Sequence, residues 1–195
     1  MKGFLLDWGE RLILLALFGR FAILNIASGD WSNYLLVFLE GVTALFVLIR
    51  RDARSVSESP IDWSLAVLGT MLPLMARPGE PSGLGVATVL IVIGTAFSFA
   101  AKASLNRRFG MAPANRGVQG GWAYAIVRHP MYLGYIVAQA GYLLHNPTAW
   151  NMAVYAGAWS LQIARIHREE RHLSLDPAYR RYAERVRFRL LPGVY

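Results

Sequence analysis

Cysteine is absent from this chain of 195 residues. A disulfide framework and a thiolate metal site are therefore excluded, and any nucleophile has to be another residue type. Charge is scarce as well, at 16% of residues against 55% hydrophobic. So little charge with a positive mean hydropathy reads as an integral membrane protein rather than a water-soluble domain. Acidic residues are the rarer sign, 12 against 20 basic, for a net charge of +8. The basic residues are spread along the ends of apolar runs instead of gathering in one polar domain, so nucleic acid is not the expected partner. Nucleotide fingerprints of the Gly-x-Gly-x-x-Gly or Walker type are missing. His167 and His172 stand five apart without an H-E-x-x-H pattern, and His129 has no second ligand at metal spacing, so no metal is expected.

What the chain does contain is a succession of apolar runs. The first, Leu12 to Ala27, holds Arg20 and lacks an Ala-x-Ala cleavage site, so it is expected to be a retained membrane helix and not a signal peptide. Arg20 faces either the bundle or, by snorkelling, an interface. Trp31 to Ile49, Ile61 to Ala76 with Pro73 inside it, and Leu84 to about Ala101 follow. These first four runs supply roughly 16 to 20 residues each, near what a helix needs to cross the hydrocarbon core. Pro130 to Leu144 and Trp150 to Ile166 complete the set. Gly29-Asp30, Ser55 to Pro60, Arg77 to Gly83 and His145-Asn146-Pro147 separate them with helix breakers.

Phe109 to Val127 is too polar to cross and carries Gly110, Gly117, Gly120 and Gly121, so it is expected to be a cytoplasmic loop lying against the bundle. Asp176-Pro177 opens a last short amphipathic helix through about Arg187, Asp serving as N-cap and Pro as the first helical residue. The expected fold is an all-α polytopic membrane bundle of six spans, or five if Ile61 to Ala76 re-enters, ending in a short cytoplasmic amphipathic helix. It divides into N-terminal membrane helices over 1–108 and a C-terminal region over 109–195. With six spans and both termini cytoplasmic, Arg50, Arg51, Arg54, Lys102, Arg107, Arg108, Arg116, Arg128 and the basic tail share the cytoplasmic side, leaving Arg77 opposite. That is the asymmetry of the positive-inside rule.

Two polar clusters fall on that side. One is Arg116, Tyr124, Arg128, His129 and Tyr132, beside a proline placed to start a helix at little cost. The other is Arg165, Arg168, Glu169, Glu170, Tyr179 and Tyr182. Arg165 and Glu169 are neighbours on one helix face and read equally as an ordinary ion pair at a helix end. The tyrosines read equally as an aromatic belt. Taken together, the clusters make a mixed-charge pocket beside lipid, suited to joining a zwitterionic soluble molecule to a lipophilic one.

Residues 105 to 192 resemble the isoprenylcysteine carboxyl methyltransferase family, itself similar to the membrane phospholipid N-methyltransferases. The likeness rests on Arg108-Phe109, Pro113-x-x-Arg116, Gly121-x-x-Tyr124 and Val127-Arg128-His129-Pro130-x-Tyr132-x-Gly134. Glu169-Glu170, Leu173, Tyr179, Tyr182, Val186 and Pro192 continue it. Gly121-Trp122-Ala123-Tyr124 stands where Gly-Pro-Tyr is usual, and Asp176-Pro177 where Phe-Gly is usual. The resemblance implies methyl transfer from S-adenosylmethionine to a lipophilic small molecule or lipid within the membrane. Gly121, Tyr124, Arg128, His129, Tyr132, Glu169 and Glu170 are then the expected cofactor contacts. Arg165 is expected to orient an anionic acceptor, and Glu170 to act as base if the acceptor is an amine. A prenylcysteine-like carboxylate, an ethanolamine headgroup and a small lipophilic acid or thiol are the acceptors this leaves open. The competing expectations are a nicotinamide-dependent membrane reductase of the sterol-reductase type and a non-enzymatic scaffold.

Overall fold

The computed structural model describes residues 2–27, 29, 31–49, 55–57, 59–79, 82, 83, 85–105, 113–115 and 117–195. Arg50, Arg51, Arg54, Arg107, Arg108 and Arg116 lie outside the described residues. Among the described residues seven α-helices follow one another: α1 (Lys2–Ala27), α2 (Trp31–Ile49), α3 (Pro60–Met71), α4 (Gly85–Leu105), α5 (Pro130–His145), α6 (Ala149–Leu173) and α7 (Pro177–Arg185). A two-residue antiparallel ladder pairs β1 (Ser55–Val56) with β2 (Ala114–Asn115). Every apolar run of the sequence is helical. The third run departs from its expected length: α3 stops at Met71 and a 3-10 turn, Pro73–Met75, finishes it. Pro73 has no N–H to continue the α ladder, and its ring crowds the preceding turn. Among the described residues α4 is long and apolar enough to cross a membrane, while Leu15–Ala27 and Pro60–Met75 are shorter apolar stretches.

Local chemistry sets the helix starts near the site. Pro130 occupies the first turn of α5, where the missing donor costs nothing. Thr148 caps α6 by accepting from Asn151 N at 3.1 Å, and Asp176 caps α7 by accepting from Ala178 N at 2.8 Å, as that pair of residues predicts.

The helices pack through small residues. A Cβ on Gly94 would come within 2.3 Å of the Ala138 backbone nitrogen, and one on Gly134 within 2.6 Å of the Ser98 nitrogen. Backbone therefore meets backbone along the α4–α5 seam. In lipid, where burial from water cannot drive association, this close packing is what holds helices together. Phe21, Ala66, Leu74, Tyr142 and Tyr155 fill the interior, whereas Leu12, Ile23, Phe38, Ile61, Val86, Ile93, Met152 and Ile163 face outward. An apolar exterior of that extent calls for a lipid or protein covering.

The bundle has two unlike ends. At one, Asn151 bonds both the N–H and the C=O of Arg77, Asn146 Oδ1 accepts from Gly79 N at 2.9 Å, and Arg77 lies over the Trp150 ring. At the other end the β ladder, the end of α6 and the C-terminal segment gather. Arg168 there reaches across to Asp62 and to Ser59 Oγ, and Trp63 Nε1 donates to the Ser57 carbonyl at 2.8 Å.

Candidate active site

The turn before α5 is held by the end of the chain. Arg128 N donates to Phe188 O at 2.9 Å and His129 N to Arg189 O at 2.8 Å, around a bridge between Val127 and Phe188. His129 occupies the N-cap position, yet its side chain makes no cap hydrogen bond. The imidazole is aimed at α6 instead.

Glu170 is the hub. Its Oε1 accepts from Arg128 Nε at 2.9 Å, from His129 Nε2 at 2.8 Å and from Tyr179 OH at 2.7 Å. Burial by itself would push this carboxyl above its ordinary 4.5, but the His129, Tyr179 and Arg128 contacts outweigh it and hold it at about 2. Opposite a carboxylate, His129 Nε2 carries the proton and donates. The Arg128 guanidinium also donates through Nη1 to Val186 O at 2.9 Å and Arg187 O at 3.1 Å, tying the C-terminal segment to the same hub.

Glu169 makes the second half of the network. Its Oε1 accepts from the Tyr132 hydroxyl, and its Oε2 stands 3.8 Å from His129 Nδ1. Arg165 Nη2 is 4.0 Å from Glu169, so the expected i,i+4 pair is present. It is not an ordinary surface pair: Arg165 is buried, its guanidinium lies 5.4 Å over the Tyr132 ring, and Nη1 donates to Thr70 Oγ1 at 3.3 Å. Gly69 on α3 makes room for it, since a Cβ there would come within 2.8 Å of Arg165 Cδ.

Of the residues the sequence singles out, Arg128, His129, Tyr132, Arg165, Glu169 and Glu170 therefore meet in one connected network. Tyr124 is buried beside it and its carbonyl accepts from Tyr182 OH at 2.7 Å. Burial pushes the Tyr124, Tyr179 and Tyr182 phenols up, so all three stay protonated. Gly121 stands exposed at the head of the 3-10 turn Trp122–Ala125, its carbonyl accepting from Tyr124 N at 3.1 Å. The next residue, Trp122, has φ of 53°, a left-handed conformation that costs a bulky side chain energy and marks this loop as constrained. Arg168 points away, to Asp62.

Sequence reasoning missed Arg189. Its Nε is buried without a hydrogen bond among the described residues, 4.0 Å from Glu170 Oε2. The only local hint is the density of arginines between 180 and 189, which says nothing about which one turns inward. Gly69 and Thr70 were missed because nothing in an apolar run announces which face meets α6.

A small, partly open pocket lies beneath the network between α2, α3, α5 and α6. Glu40, Thr70, Tyr135, Gln139 and Gln162 line it, and Tyr132 and Arg165 belong to both pocket and network. Among the described residues no group of three His, Asp or Glu is placed to hold a metal ion.

Chemically, the arrangement can take a zwitterion. Glu169 Oε2 and Glu170 Oε2 accept no hydrogen bond among the described residues, and Arg189 Nε has a donor to give. Both signs are thus on offer within one cluster.

No curated protein matches the chain. The model of the isoprenylcysteine carboxyl methyltransferase (ICMT) family matches residues 84–175, from the start of α4 to just past α6, and so includes both halves of the network except Tyr179 and Arg189. That family consists of membrane-embedded methyltransferases. Over residues 84–175, just under half of its length, the chain is similar to the isoprenylcysteine carboxyl methyltransferase family.

Proposed function

We propose that the protein is a multi-pass membrane enzyme that transfers the methyl group of S-adenosylmethionine to a lipophilic acceptor at the cytoplasmic face. One observation carries this reading: the start of α5 and the end of α6 are joined through His129–Glu170 and Tyr132–Glu169 directly above the pocket. The donor set fits the cofactor. Its amino-acid end carries an ammonium and a carboxylate, matching the open oxygens of Glu169 and Glu170 and the buried Arg189 Nε. When bound, the cofactor supplies an electrophilic methyl group on a sulfonium centre.

The chain's own residues do the rest. Glu169 and Glu170 hold the ammonium or the adenosine hydroxyls. His129, Tyr132 and the Gly121 to Tyr124 loop line the cofactor site. His129, with Tyr179 and Arg128, keeps Glu170 ionised, and Arg128 ties it to the C-terminal segment. Arg165, on the wall shared with the pocket, orients an anionic group of the acceptor. A carboxyl held at about 2 is a poor proton acceptor near neutral pH, which makes Glu170 an anchor and favours an acceptor that is already anionic, such as a carboxylate. For that acceptor the oxygen–methyl bond forms as the sulfur–methyl bond breaks, and no base is needed. Holding the two partners in line is worth roughly 7 to 11 kcal/mol in favourable cases.

The topology follows the same reading. The end of the bundle with α7 and the network is the cytoplasmic one, since it carries Lys102, Arg128, Arg165, Arg168 and the arginines of the tail, with Arg77 opposite. Residues 1–108 act as the membrane frame that shapes the acceptor's side, and 109–195 as the catalytic region. Membrane lipids surround the frame.

Incubating native membranes that contain the protein with methyl-labelled S-adenosylmethionine tests the proposal. A labelled product that partitions into organic solvent and disappears with Arg165→Ala is expected. Label that stays in water, or saturable binding of NADPH in its place, would favour the scaffold or the reductase.

A further inference from the structure

Two amides on the pocket wall, Gln139 and Gln162, make little use of their hydrogen-bonding groups within the protein. Gln162 is 7% exposed and forms no hydrogen bond among the described residues, and Gln139 is 4% exposed. Gln139 Oε1 accepts from Trp159 Nε1 at 3.0 Å; since an indole N–H can only donate, this fixes the amide's orientation and leaves its NH₂ without an acceptor. Both residues line the pocket. Neither amide is among the buried unpartnered groups of the described residues, so both open into the pocket, where a bound molecule's polar group would replace solvent on them.

The remaining walls say what kind of group that is. Thr70 Oγ1 already donates to Ala66 O and accepts from Arg165. Glu40 is paired electrostatically with Lys102, whose ammonium lies 4.5 Å over the Tyr135 ring. Glu40 and Lys102 offset each other's charge at the inner end, and the two amides add neutral hydrogen-bonding groups to the wall. Gln162 lies one turn from Arg165 on α6, and Gln139 two turns from Tyr132 on α5, so the amides sit about 5 to 10 Å along the helices from the residues shared with the network.

We propose that this pocket is an acceptor subsite for a neutral hydrogen-bonding group, an amide or hydroxyl set into the acceptor's tail one to two helical turns from the end that receives the methyl group. The inference rests on the methyltransferase reading above and narrows its acceptor. An unbroken hydrocarbon or prenyl tail would leave both amides unpaired, and a site built to bond a polar group rejects the analogue that lacks it.

The test uses the purified full-length protein in detergent and two probes of equal length: N-decanoyl-4-aminobutanoate, with an amide in the chain, and pentadecanoate, without one. Binding of each is titrated with S-adenosylhomocysteine present, and S-adenosylhomocysteine is titrated separately. The amide probe is expected to bind about tenfold more tightly than pentadecanoate, the size of one or two buried hydrogen bonds. In Gln162→Leu that preference should shrink to about twofold or less, with S-adenosylhomocysteine affinity unchanged. Equal or tighter binding of pentadecanoate by the unaltered protein overturns the subsite, as does a preference that survives Gln162→Leu. A preference for the amide without any binding of S-adenosylhomocysteine leaves the subsite standing and removes the methyltransferase reading.

Discussion

His129 and Glu170, 41 residues apart, meet with 2.8 Å between Nε2 and Oε1. This single contact joins the turn that opens α5 to the last turns of α6. It also decides which way the C-terminal segment lies, because Arg128, the neighbour of His129, bonds the same carboxylate and the carbonyls of Val186 and Arg187. Charge, local backbone and tertiary packing are thus coupled at one carboxyl group.

Removing that carboxyl strands three donors. Glu170→Ala leaves Arg128 Nε, His129 Nε2 and Tyr179 OH without their shared acceptor, and breaking a buried ion pair from one side costs on the order of 3 kcal/mol. A clear drop in the thermal midpoint of the purified protein is expected. Glu170→Gln, which still accepts a hydrogen bond, should lose less.

Acid should act through the same group. Glu170 falls from an ordinary 4.5 to about 2 in the folded chain, so the fold favours its ionised form. The resulting stability is fully present above about pH 5 and is lost as pH falls from there toward 2. Denaturant midpoints measured across that window should decline in the unaltered protein and decline less steeply in Glu170→Gln.

Arg165 depends on the space at Gly69. Gly69→Val would force the guanidinium off Tyr132 and Thr70, because even a Cβ comes within 2.8 Å of Arg165 Cδ. Methyl transfer should fall at least tenfold, the effect expected of a misplaced positioning group, while S-adenosylhomocysteine affinity changes little. Parallel transfer assays and titrations on the same preparation separate the two effects.

The α4–α5 seam is the least tolerant part of the frame. Gly94→Val places side-chain atoms where the backbone of Ala138 already lies, and overpacking of a tight contact costs roughly 1 to 3 kcal/mol or more. The thermal midpoint should drop further than for a substitution of outward-facing Ile93, to alanine for example, at which the expected change is small.

What the sequence makes legible is local. The Pro130 start of α5, the Asp176 cap of α7 and the Arg165–Glu169 spacing are each written in residues a few positions apart, and each appears in the structure. The six apolar runs read as helices for the same reason. The Arg-His-Pro-x-Tyr core and the Glu-Glu pair stand at the start of α5 and the end of α6, where His129–Glu170 and Tyr132–Glu169 meet. Arg189, Gly69, Gln139 and Gln162 were not legible, because their roles come from which surfaces meet. Val127 pairs with Phe188, 61 positions further along the chain, a contact that no periodicity encodes. Gly121 lies exposed at the head of the turn Trp122–Ala125.

Calorimetric titration of the purified full-length protein with S-adenosylhomocysteine tests the central claim most directly, since the His129–Glu170 and Tyr132–Glu169 network either holds that molecule or does not. Saturable binding at one site per chain, abolished by Glu170→Ala and weakened by Arg189→Ala, is the predicted result. Absence of heat from a folded preparation, or binding that survives both substitutions, would contradict it.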